Sequence, residues 1–505
     1  LGEHKSEKFI IDWGFGYNKV FSKQPDRKRI SLENYQFALD NDPSTNPTFY
    51  NNVDYDNQRY FQNIEDDEYN GILNLAYDVN EKLKLNIGYN GRNKSRDFNN
   101  IRYGYRIVDN DFEVTDVNNF NNVFTLENLN INDESNGIYE LTVINNFPGQ
   151  PSTNRPGLPE NTYNGKLNIY AGFLNAEIKG GDKWLFVPGV RLESVEQRIA
   201  YDVINLGNDG DAEIGYYDNF LLPSLNIKYA LNDDQNIRFS GSQTISIPEF
   251  KEVAPFVYEN ISTRIGGNPD LLDKGVSKIF NLDLKYEWFF SKSEIFSVAL
   301  FAKEINDPVN LVVVGDATGT QRFVRTGKRA EVYGIEVELR KNLITVYDAP
   351  KLSLGFNATY MHTQQDLYDE INGTFDLTFQ EDSEELQGAS PLILNADINY
   401  SPTFGNYKPV ANLVFSYFSD RIDALGSGQL GNVIEKGVPT LDFIWKNSFK
   451  EHFEINLSAK NLFNPNIKYI RKTTLGDVVV NSANGKGVSD YKRGMNIGLQ
   501  LKYKF

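Results

Sequence analysis

The stretch Tyr491–Phe505, YKRGMNIGLQLKYKF, sorts its side chains with a period of two. Tyr491, Arg493, Met495, Ile497, Leu499, Leu501, Tyr503 and Phe505 fall in one set. Lys492, Gly494, Asn496, Gly498, Gln500, Lys502 and Lys504 fall in the other. A helix would spread both sets around its circumference, whereas a strand sends them to opposite faces. The stretch is predicted to be a strand with one oily side and one wet side.

The same alternation recurs upstream. Phe9, Ile11, Trp13, Phe15 and Tyr17 alternate with Asp12, Gly14, Gly16 and Asn18. Leu83, Leu85, Ile87 and Tyr89 alternate with Lys84, Asn86, Gly88 and Asn90. Phe280 to Trp288, Leu352 to Tyr360 and Phe453 to Ala459 repeat the theme. Counting such runs predicts about sixteen strands, most of ten residues or more.

Connection lengths narrow the fold. Short turns are expected at Val79–Glu81, Gly180–Asp182, Asn232–Asp234, Ser291–Ser293, Tyr347–Ala349, Gly405–Tyr407 and Lys450–His452. Long polar connections run roughly from Phe21 to Glu65, Ile107 to Glu160, Ile247 to Val276, Asn306 to Arg329, Gln365 to Gly388 and Asn464 to Gly487. Short turns at one end and long loops at the other are the habit of outer-membrane barrels. In hydrocarbon every backbone N–H and C=O must pair internally, so a spanning sheet has to close on itself. Its outer face must then be apolar, while its inner face can carry Asp, Glu, Lys and Asn. The fold class predicted is all-β, a transmembrane antiparallel barrel forming one domain over residues 1–505.

Composition agrees. Tyr numbers 29 and Phe 34, many near the ends of alternating runs, where interfacial girdles need rings with a polar edge. Mean hydropathy is −0.47, as a wall that shows lipid only half its residues allows. Cysteine is absent, which removes disulfides, thiol nucleophiles and thiolate metal sites. The net charge of −17 argues against a nucleic-acid partner. The start, LGEHKSEKF, has no signal-peptide pattern, so a leader is expected to have been removed or to lie further upstream.

Several stretches resemble the TonB-dependent outer-membrane receptors. The segment from Phe220, FLLPSLNIKYALNDDQNIRFSGSQTISIPEFKEVAPF, is similar to the family's paired strands leading to a loop that begins near Pro248. The segment from Gly266 resembles its hairpin, with Gly-Asn-Pro-x-Leu at Gly267–Leu271 and Phe-x-Lys-x-Ile-x-x-Pro at Phe301–Pro308. RAEVYGIEVELRKNL from Arg329 matches a strand of the family with a Tyr-Gly-Ile-Glu centre, and Phe505 is similar to the terminal aromatic of outer-membrane proteins.

The resemblance implies a receptor that imports a substrate, powered by TonB through a plug, inside a barrel of roughly twenty-two strands. No plug-like segment or TonB box is found here, so the chain is expected to be the C-terminal part, lacking the plug and about six strands. A complete porin-like barrel is the alternative, and a scaffold for a surface lipoprotein is another reading. The C-terminus is expected at the periplasmic face.

No catalytic, cofactor or metal residues are expected, and the substrate-binding residues are not assigned. His4, His362 and His452 are too scattered for a metal centre. The acidic segments Asn208–Asp211, Asp109–Asp116 and Glu381–Glu385 offer hard oxygen ligands but lack calcium-loop spacing. Phe256, Tyr258, Phe375 and Tyr417 could stack on a sugar, though packing is the favoured role. Gly180–Gly181 and Gly266–Gly267 read as turn glycines. Glu336 and Glu338 share a face and are expected to line a hydrated lumen or to contact a plug rather than do acid–base chemistry.

Overall fold

A computed structural model describes residues 1–33, 47–51, 56–130, 137–143, 160–203, 211–259, 263–315, 320–347, 349–449, 452–473, 476–479 and 491–504. Its main sheet is an antiparallel meander, each long strand pairing with the next. The sixteen long strands are β1 (Phe9–Arg29), β2 (Gln58–Asn80), β3 (Leu83–Ile107), β4 (Glu160–Gly180), β5 (Trp184–Asp202), β6 (Asp211–Asn232), β7 (Gln235–Ser246) and β8 (Ser277–Ser291). They continue as β9 (Glu294–Asn306), β10 (Arg329–Val346), β11 (Ala349–Asp366), β12 (Leu392–Tyr400), β13 (Tyr407–Phe418), β14 (Val438–Phe449), β15 (Phe453–Lys460) and β16 (Asn496–Tyr503). The expected tight turns fall between paired strands, and Gly181 takes the left-handed φ of 68° that its turn requires. Asp348, Lys450 and Glu451 of those turns lie outside the described residues.

Register confirms the two faces. Ile11 lies opposite Leu75, Leu75 opposite Ile87, and Ile87 opposite Leu174, so one side of the wall is continuously apolar. Ile87 and Leu174 are about half exposed. Rings cluster toward the turn end, with Phe9 on Tyr77 at 4.6 Å and Trp184 on Tyr229 at 4.4 Å. A second group, Tyr17 on Tyr69 at 4.8 Å, sits nearer the loops. From Phe9 to Tyr17 is roughly 25 Å of strand, the height of a membrane band.

Two expectations are corrected. The connection from Phe21 to Glu65 is shorter, because β1 and β2 remain paired out to Arg29 and Gln58. Above the apolar band the outer residues turn charged, as where Lys19 meets Asp67 at 3.5 Å, so the hydropathy pattern fades while the backbone ladder continues. The inner face, expected to be wet, is apolar on β4–β6. There Leu167, Val195, Ile199, Phe220 and Leu222 are buried under a folded loop.

Among the described residues, β16 pairs only with β15, and the outer edge of β1 is taken by Gly2–Lys5. Among the described residues β1 and β16 do not pair with each other. On the outer face Leu499 is 67% exposed. Leu499→Arg is expected to cost about 2–4 kcal/mol at mid-bilayer depth, while Gln500→Arg on the other face stays close to neutral. Urea titration of folding into lipid vesicles measures both, and equal costs would show the two faces to be wrongly assigned.

Candidate functional site

Beyond the apolar band the loops fold on one another and on the inner wall. The connection Ile247–Val276 carries a short helix, α1 (Phe250–Val253), closed by a capping box in which Glu252 accepts from the Glu249 N–H at 2.9 Å. Phe250 lies over Gly165 of β4, where an added Cβ would stand 2.8 Å from the ring. Lys94 and Arg96 flank the same ring at 5.9 Å. Phe256 is 2% exposed, packed on Phe98 at 4.6 Å and Tyr258 at 4.9 Å. The Tyr258 hydroxyl shares a 2.6 Å hydrogen bond with that of Tyr163, and Gln197 donates to the Pro248 carbonyl at 2.9 Å. This loop is thus an inward constriction, fixed to the wall.

Its far end carries a cluster of charges. Glu259 accepts from Arg29 at 2.8 Å, Arg264 at 2.6 Å and Gln58 at 2.6 Å, with Arg102 at 3.5 Å. Burial pushes the Glu259 carboxyl up, but Arg102, Arg264 and Arg29 outweigh it and hold the group below the usual carboxylate range. Arg102 also donates to the Val257 carbonyl at 3.1 Å and covers Phe256 at 5.1 Å. Arg27 stacks on buried Tyr60 at 4.9 Å.

A register shift delivers two of these arginines. In β1 odd residues face outward as far as Phe21, but the ladder slips between Gln24 and Arg27, at Pro25-Asp26. Arg27 then lies opposite Tyr60 and Arg29 opposite Gln58, both on the inner set, while Asp26 meets Arg59 at 2.5 Å on the outer one. One extra residue in a strand re-aims everything after it. Period-two reading from Phe9 would have sent Arg27 and Arg29 outward. A proline inside a strand is the signal that could have found them.

Further loops form a second sheet of eight short strands over the mouth. Its order is Val257–Glu259, Arg264–Gly266, Gln321–Arg325, Val309–Val313, Arg421–Gly426, Val433–Glu435, Tyr469–Thr473 and Gly476–Val479. Two joins are parallel, Ile265 beside Gln321 and Val312 beside Leu425. Val312, Val324, Ile422, Leu425, Ile434 and Ile470 form an apolar face covered by Leu367, Ile371, Leu377 and Phe379. A buried amide network ties this sheet to β11, with Asn310 donating to Gln365 at 2.7 Å and to Thr326 at 2.6 Å.

On one hairpin of this roof, burial and neighbouring Glu435 push the Asp423 carboxyl up to about 6, against the opposing pull of Arg421. A carboxyl raised in the folded state favours its protonated form there. The stabilisation is therefore present below the ordinary aspartate pKa and is lost as pH rises through about 6. Amide exchange over Arg421–Glu435 is expected to quicken from pH 4 to 6, after correction for intrinsic rates, and Asp423→Asn to flatten that rise. A profile unchanged by the substitution would assign the effect elsewhere.

A family model described as TonB dependent receptor-like, beta-barrel, matches residues 12–462. The chain belongs to that family. Solved structures agree on the fold. The ferric yersiniabactin uptake receptor FyuA from Yersinia pestis is 12% identical, with a TM-score of 0.60 over 100% of this chain and 60% of that one. The siderophore receptor PiuA from Acinetobacter baumannii is 12% identical, with a TM-score of 0.61 over 100% and 63%. The copper transporter OprC is 12% identical, with a TM-score of 0.60 over 99% and 63%. The chain thus spans 60–63% of the length of these proteins. No curated protein matches it by sequence.

This TonB-dependent receptor barrel places the other candidates as follows. His4 and His362 are exposed and far apart in the sheet, and His452 Nδ1 lies 3.2 Å from the Lys504 carbonyl. Among the described residues no group of His, Asp and Glu is arranged to hold a metal. Asp109 and Asp116 accept from backbone N–H groups of their own turns, and Glu384 accepts from Asn432. Asn208–Gly210 lie outside the described residues. Phe256 is enclosed, Tyr258 is hydrogen-bonded, Phe375 lies 4.0 Å under Arg322, and Tyr417 sits half-buried on β13. Gly266 and Gly267 belong to a strand end and a close approach rather than a turn: a Cβ on Gly267 would lie 2.1 Å from the Ala254 carbonyl. Glu336 lines a recess with Lys228, Arg238, Asp283 and Lys285, and Glu338 pairs with Arg340 at 2.8 Å.

Proposed function

We propose that this chain is the wall and loop-end mouth of an outer-membrane importer, energised through TonB, whose cargo enters from the loop side. The observation that carries this reading is the family match over residues 12–462, with the loop Ile247–Val276 packed on the inner wall in keeping with it. Neighbours that move ferric chelates or copper support a transport role. We place the turns and the C-terminus at the periplasmic face.

The test compares solute depletion from the medium by cells with and without the native gene, each with and without a protonophore. A solute taken up only by energised cells that carry the gene is the expected result. Uptake that survives the protonophore would make the barrel a passive porin. Equal depletion with and without the gene would overturn transport.

A further inference from the structure

We propose that the upper edge of β6, from Glu213 to Leu221, is a docking site for an extended, cationic segment of a partner protein, which adds to the wall as one more strand. The site does not depend on the cargo and goes beyond the transport reading above.

The two sides of β6 are not alike. With β5 its register runs without a break from Asp211 to Tyr229. With β7 the ladder stops at Ser224 opposite Ser242, although β7 itself continues to Ser246 beside β8. Pro223 explains the stop. Ala230 donates to the Lys183 carbonyl on the β5 side at 2.8 Å, so even-numbered residues of β6 address β5 and odd-numbered ones the opposite side. Position 223 would have to donate its N–H toward β7, and proline has none. Above it Glu213, Gly215, Tyr217, Asn219 and Leu221 turn their N–H and C=O groups to a side where, among the described residues, no strand pairs with them.

Sheets usually blunt such an edge with lysines, bulges or a covering element. Here the edge is straight and those residues are exposed, Tyr217 at 65% and Leu221 at 60%. The Asn219 N–H donates to the carboxylate of its neighbour Asp218 at 2.7 Å, a local bond that an incoming carbonyl can replace. The loop beside β6 lies on the inner side. There the ring of Tyr216, an inner-face residue, covers Gly275, where a Cβ would stand 2.2 Å from it. An added strand would have this loop as its floor.

Direction and charge identify the occupant. Two copies in one membrane share an upward direction, so their β6 strands cross at twice the strand tilt, roughly 80°, and cannot lie along each other. A segment of a partner outside the membrane has no such constraint. Residues 212–222 include Glu213 and Asp218 and neither Lys nor Arg. Glu196, opposite Tyr217 on β5, is matched by Arg198 at 2.9 Å, and Lys278 stands at the lower end, 5.7 Å from the Phe220 ring. In strand addition the main chain supplies affinity and alternate side chains supply choice. Basic residues of the incoming segment suit Glu213 and Asp218, and apolar ones suit Leu221.

The experiment titrates the purified native protein in detergent with a synthetic peptide of alternating Lys and Val, and follows binding together with amide hydrogen exchange. Saturable binding is expected, with new protection confined to residues 212–222. The same peptide with every second backbone nitrogen methylated keeps its charge but loses one row of donors, and should bind about tenfold more weakly. A peptide of alternating Glu and Val should also bind about tenfold more weakly, through charge. Tyr217→Pro removes an edge N–H without touching the β5 ladder and should weaken the Lys-Val peptide by about tenfold, whereas Tyr217→Phe should stay within about twofold. Heat-modifiable gel migration shows whether each variant is folded. Should the proline variant fail to fold, the methylated peptide still decides. Equal binding of the methylated peptide, or protection elsewhere in the wall, would reduce the effect to charge attraction and overturn the site. Absence of saturable binding would overturn it outright. None of these outcomes alters the test of energised uptake.

Discussion

Truncating Phe256 to alanine is expected to loosen the inward loop by about 3–5 kcal/mol, the range for a large ring removed from a packed core. Phe256 is 2% exposed and touches Phe98, Tyr258 and Arg102. The cavity cannot collapse easily, because Phe98 and Tyr163 are stacked at 4.6 Å on neighbouring strands whose backbones are fixed by the ladder. The barrel itself should survive, since its strands pair independently of this ring. Limited trypsin digestion with mass spectrometry is the direct measure, with new cleavage at Lys251 and Lys274 and none in β4 or β5. Cleavage unchanged from the native protein would mean that other contacts hold the loop.

Removing the shared carboxylate is the second large effect. Glu259→Leu leaves Arg102, Arg264 and Arg29 facing one another without their common partner. Breaking a buried ion cluster from one side costs about 3–5 kcal/mol, chiefly because Arg102, the most buried of the three, loses its carboxylate. Hydrogen exchange is expected to rise across Val257–Gly266 and into Gln321–Arg325, which pairs beside Ile265. Protection equal to the native level would mean that the guanidiniums find other partners at little cost.

Much of the architecture was legible because membrane and sheet impose the same period. Ile11, Leu75, Ile87 and Leu174 could be assigned to one face before their register was known. The inner surface was harder to read. Leu167 and Ile199 alternate like lumen residues, but they are covered by a loop whose apolar residues, Phe250, Val253, Leu271 and Leu272, follow no strand period. Arg27 and Arg29 were hidden for a different reason: a single slipped residue reverses parity, and only the pairing shows where it occurs. The roof was out of reach altogether, since short strands drawn from separate loops carry too few residues to show a pattern.

That roof has a consequence for the order of assembly. Ile265 must find Gln321, and Val312 must find Leu425, across stretches of chain that are themselves threaded through the wall. Contacts so distant in sequence form slowly, because their closure entropy is spent before any contact repays it. The mouth is therefore expected to complete itself after the hairpins that carry its strands have been inserted.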